Sequence, residues 1–88
     1  MSRTIWKALV GPEDEHEISV PIGAEMLCAR EQGDDVCVWF RCDPHAQKER
    51  RIIYVIGTGH PCPPHARSLG TASLQSGALM FHVFERMH

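Results

Sequence analysis

Punctuation constrains this chain more than any single motif does. Short apolar runs rich in β-branched and aromatic residues are cut repeatedly by Gly, Pro and Asp. That is the pattern of strands joined by turns, not of helices. About seven runs are present, covering roughly Thr4–Val10, His16–Ile22, Glu25–Glu31, Val36–Cys42, Arg51–Ile56, Leu69–Leu74 and Ala78–Arg86. In the second, Ile18, Val20 and Ile22 alternate with polar neighbours, so one face is wet. In the fourth, Val36, Val38 and Phe40 oppose Cys37, Trp39 and Arg41, and large groups on both faces suit a central strand.

The breaks are as informative as the runs. Gln32-Gly33-Asp34-Asp35 reads as a hairpin loop of four residues or slightly more, and Gln75-Ser76-Gly77 as a second, shorter one. Pro61, Pro63 and Pro64 exclude regular structure after Gly57-Thr58-Gly59. His45–Arg50 is the only stretch able to form a turn of helix. The expected fold is all-β: an antiparallel sandwich or small barrel of six to seven strands with at most one short helical turn. With 88 residues, 43% apolar and 23% charged, the chain has material for one small core, so residues 1–88 are read as a single β domain.

The longest apolar runs, such as Ile52–Ile56 and Ala78–Phe81, fall far short of the roughly 20 residues a membrane helix needs. The start of the chain lacks the apolar core of a secretory leader. The expectation is a cytoplasmic protein whose four cysteines are thiols, since disulfides are rare in a reducing compartment.

Charge is unevenly spread. Residues 1–44 hold 9 acids and 4 bases, and residues 45–88 hold 2 acids and 5 bases. The net charge of −2 argues against a dedicated nucleic-acid binder. The acids gather in two runs, Glu13-Asp14-Glu15-His16-Glu17 and Glu31-Gln32-Gly33-Asp34-Asp35. Such runs are either solvated turns or a negatively charged contact face.

Catalytic signatures are weak. Cys42-Asp43-Pro44-His45 and Cys62-Pro63-Pro64-His65 could supply a structural Cys2His2 zinc site if the two turns met. With 4 Cys and 6 His in the chain, though, such spacings arise by chance, and no metal is expected. Gly57-Thr58-Gly59-His60 could cradle an anion with help from Arg67, but known phosphate loops have longer glycine spacing and open into a helix. A nucleophilic pair of Cys62 with His60 or His65 would need a water-excluding pocket that nothing in the sequence supplies. The expectation is therefore no enzyme and no cofactor.

Four segments taken together carry a resemblance: Ile5-Trp6-Lys7, Pro21-Ile22-Gly23-Ala24-Glu25-Met26-Leu27, Gly57-Thr58-Gly59-His60-Pro61, and Gly77-Ala78-Leu79-Met80-Phe81-His82-Val83-Phe84-Glu85. They resemble a family of short, uncharacterised phage and prophage proteins, some of which look like anti-CRISPR proteins. The resemblance implies an inhibitor acting in a bacterial cytoplasm on a host defence complex, such as a CRISPR interference complex. The acidic runs supply its contact face, with Glu13, Asp14, Glu15, Glu17, Glu31, Asp34 and Asp35 as candidate partner-binding residues. Direct binding to nucleic acid or membrane is not expected, and the chain would be a monomer or homodimer. The alternatives are a small phosphate-binding module at Gly57–Gly59, His60 and Arg67, and a phage accessory protein that dimerises through an exposed edge strand.

Overall fold

The computed structural model describes residues 2–11 and 14–87. Seven strands form: β1 (Thr4–Val10), β2 (Glu15–Pro21), β3 (Glu25–Gln32), β4 (Asp35–Cys42), β5 (Lys48–Gly57), β6 (Ala66–Leu74) and β7 (Leu79–Arg86), with no helix among the described residues. They pair antiparallel into two sheets, one ordered β1-β4-β3 and the other β2-β5-β7-β6. The fold is an all-β sandwich, and its thin dimension of 15 Å accommodates two sheets packed about 10 Å apart.

Period-two alternation decides what each strand buries. In the three-stranded sheet, Val36, Val38, Phe40 and Cys42 face inward, with Val10, Met26 and Ala29 beside them in register. In the four-stranded sheet, Val20, Ile53, Val55, Val83, Leu69, Ala72 and Leu74 answer them, and the two sets form one core. Full burial of a Val or Ile side chain contributes about 1.5–3 kcal/mol. The centre of the sandwich, where Val38, Ile53, Val55 and Val83 lose nearly all contact with water, therefore anchors the fold.

Three local features differ from the sequence reading. The β3–β4 hairpin turns on two residues, because Gln32 pairs directly with Asp35; Gly33, at φ +62°, supplies the glycine-first geometry of a II′ turn. Lys48–Arg50 extends β5 instead of forming a helical turn, since the preceding chain is already reversed by Asp43. The Asp43 carbonyl accepts from the Ala46 amide at 3.1 Å and its carboxylate from the His45 amide at 3.0 Å. The second hairpin turns on Gln75–Ala78, where Gln75, Ser76 and Gly77 all have positive φ.

The sheets meet most closely where β3 passes β6, at a seam that is not a ladder. The Glu31 carboxylate accepts the Ser73 amide at 2.7 Å, standing in for a strand partner. Gly70 sits where a Cβ would lie 2.7 Å from the Ala29 carbonyl oxygen, so only a residue without a side chain permits that approach.

Candidate functional site

Each predicted contact residue can now be located, with Glu13 lying outside the described residues. Asp34 lies in the two-residue β3–β4 turn and Asp35 opens β4 beside it. Val10, the last residue of β1, pairs with Val36 beside that turn, so the β1–β2 connection leaves from the same end of the sandwich. Asp14 closes that connection, its carbonyl accepting the Val55 amide at 3.0 Å while its side chain is exposed. Asp34 also borders, with Leu74, Gln75, Leu79 and Phe81, a hollow of about 400 Å³ beside the β6–β7 turn. Asp34 and Asp35 thus lie together at one end of the molecule, and Asp14 lies on the connection that leaves that end and reaches β2 level with Val55. Among the described residues no Lys, Arg or His lies within ion-pair distance of any of them.

The other predicted acids do not join this group. Glu15 and Glu17 lie on the outer face of the four-stranded sheet, paired with Arg86 at 3.7 Å and Arg50 at 3.4 Å. Glu31 is committed to the seam, where the Ser73 amide holds its carboxyl below the usual carboxylate range. The acidic runs therefore divide into an unpaired end, a neutralised face and a structural bond.

At the opposite end lies a charged cleft of about 350 Å³, lined by Ala24, Met26, Glu49, Arg51, Arg67 and Glu85 among others. The Glu85 side chain is 4% exposed, and one of its oxygens accepts from Arg51 Nε at 2.6 Å and Nη2 at 2.5 Å. Its other oxygen has Arg67 Nη2 at 3.6 Å. Arg51 also donates to the Ala24 carbonyl at 3.1 Å and to Glu49 at 3.2 Å. Glu25 nearby bonds Arg41, which holds the Glu25 carboxyl below its usual range. Sequence reading passed over this cluster, yet parity carries the signal: Arg51 shares the inner face with Ile53 and Val55, as Glu85 does with Val83.

The Gly57–His60 turn lies at the end of β5, where Thr58 Oγ1 and His82 Nε2 share a hydrogen bond of 2.8 Å. His60, Cys62, His82 and Phe84 line a small hollow of about 150 Å³ there. The connection therefore lies against β7 and shields Phe84, which the alternation of the last strand left pointing away from the core. Arg67, the expected companion of an anion at this turn, is instead at the charged cleft. Nor do the two Cys-x-x-His turns meet: Cys42 is buried in the core, whereas Cys62 is exposed beside His60. Among the described residues no three His, Cys, Asp or Glu side chains converge as metal ligands would. All four cysteines are free, and burial pushes the Cys37 and Cys42 thiols up, away from the reactive thiolate.

No curated protein and no solved structure matches this chain. One protein-family model does match, and it spans residues 1–88. The chain belongs to the family described as a domain of unknown function (DUF7352).

Proposed function

We propose that this protein is a non-enzymatic binding protein that docks its carboxylate-bearing end on a basic surface of a partner and keeps nucleic acid from that surface. The supporting observation is the contrast in charge pairing. Glu15, Glu17, Glu25, Glu49 and Glu85 all have cationic partners, whereas Asp34 and Asp35, exposed at one end, and Asp14, on the connection from that end, have none among the described residues. Exposed, unpaired carboxylates steer association with a basic surface and mimic the charge a phosphate backbone would present there. The resemblance to phage proteins suggests the kind of partner: a host defence assembly such as a CRISPR interference complex, whose nucleic-acid channel is basic.

The test is binding to a purified interference complex, measured for the wild type and for Asp34→Lys/Asp35→Lys at low and high salt. We expect the double reversal to weaken binding at least tenfold at low salt, with a smaller difference at high salt because exposed charges are screened. Equal affinity of the two proteins would remove the acidic end from the mechanism.

A further inference from the structure

We propose that the free edge of β1 is a self-association surface, and that its occupant is β1 of a second copy of this chain, paired antiparallel about Lys7. The inference is independent of the acidic end and rests on how differently the sheet edges are protected. β3 and β6 close on each other at the seam. The β2 edge carries Glu15 and Glu17 and ends in Pro21, which are standard means of blunting an edge. β1 has no proline and no acid. Among the described residues its backbone bonds only to β4.

The one charge on β1 is diverted from the edge. Lys7 reaches across β4 to donate to the side-chain carbonyl of Gln32 on β3. Ile5 and Leu9, on the same outer face, are left 61% and 62% exposed. An unprotected edge flanked by bare apolar side chains is the feature that invites another strand.

Register then selects the partner. If Lys7 faces its own copy, Ile5 lies opposite Leu9 of the second copy on the outer face, and Trp6 lies opposite Ala8 on the inner face. Ile5, Trp6, Ala8 and Leu9 each meet an apolar side chain, a large ring meets a small one, Thr4 meets Val10, and the two Lys7 oppose each other with each ammonium drawn away to Gln32 of its own sheet. Residues of like parity oppose each other, so outward amides meet outward carbonyls whichever alternate set points outward. An odd shift would set the outer row of one strand against the inner row of the other. A shift of two residues would set Lys7 against Ile5 or Leu9. Of these registers, pairing about Lys7 matches the full length of the strand to itself, and pairing there would join two three-stranded sheets into six strands. The two acidic ends would then point in opposite directions.

Light scattering over a concentration series tests the surface. We expect the wild type to approach twice 9.9 kDa as concentration rises. Ile5→Lys/Leu9→Lys should stay at the monomer mass with an unchanged circular dichroism spectrum, since both positions are already exposed. Ser19→Lys, on the β2 edge, should dimerise as the wild type does. A wild type that is monomeric throughout overturns the proposal, as does a dimer that survives the Ile5/Leu9 change or is lost on the Ser19 change. The register is tested in a Cys28→Ser/Cys62→Ser background. Directly opposed residues lie about 4.5–5.5 Å apart at Cα, within reach of a disulfide, so Lys7→Cys should cross-link under mild oxidant and Ile5→Cys alone should not. Equal cross-linking of the two overturns pairing about Lys7.

Discussion

The two ends of the sandwich use charge in opposite ways. At one end Glu85, Arg51, Glu49 and Arg67 are drawn into a cleft between the sheets, and Glu25 is tied to Arg41. At the other, Asp34 and Asp35 are exposed at the β3–β4 hairpin, beside a turn with three successive residues at positive φ. A buried pair must keep both partners, because either one alone would be a desolvated charge without compensation. Exposed carboxylates carry no such obligation and remain available to a second molecule. The first end holds the sheets together, and the second leaves its carboxylates to solvent.

The comparison breaks most visibly at Glu85. Glu85→Ala takes from the mostly buried Arg51 guanidinium its closest carboxylate, leaving the more exposed Glu49 at 3.2 Å as its one remaining acidic partner among the described residues. We expect a loss of about 3–5 kcal/mol in urea unfolding. A loss below about 1 kcal/mol would mean that Glu49 and solvent suffice to hold the guanidinium, and the contrast between the ends would disappear.

The other end responds with the opposite sign. Ser76 holds φ +55° between Gln75 at +52° and Gly77 at +89°, a conformation that costs an L-residue about 1–2 kcal/mol. Ser76→Gly should therefore stabilise the fold, by about 1 kcal/mol after the glycine's extra unfolded-state entropy is set against the relief. Thermal unfolding reads the change, and a lowered midpoint would show that Ser76 earns its place through a contact the turn needs.

How much of this was legible beforehand follows from where each signal lies. The strands could be read because alternation is a local property, and Val36, Val38 and Phe40 declare their face within one segment. The two-residue β3–β4 turn was less legible, since Gln32 and Asp35 are polar in either a loop or a strand end and only the partner strand decides. The acidic runs could be seen but not sorted. Nothing local distinguishes Asp34, left exposed, from Glu31, whose bond to Ser73 spans 42 residues of chain. The Arg51–Glu85 pair, 34 residues apart, was hidden for the same reason, although the parity of both residues with the core pointed inward.

The smallest effect concerns pH and separates paired acids from the rest. Glu25 is held below the usual carboxylate range chiefly by its hydrogen bond from Arg41, and Glu31 chiefly by the Ser73 amide. A carboxyl whose pKa is lower in the folded state than in the unfolded one stabilises the fold in its ionised form. That contribution is complete above the ordinary carboxylate range and is lost as pH falls through the lowered values. Stability should therefore decline on acidification below the ordinary glutamate range. Glu25→Gln and Glu31→Gln should each lower stability at neutral pH and flatten the acid limb, with little difference from the wild type once the pH is low enough to protonate both groups. Urea midpoints measured from neutral pH downward give both limbs. An acid limb as steep in the double variant as in the wild type would move the origin of the pH dependence away from Glu25 and Glu31.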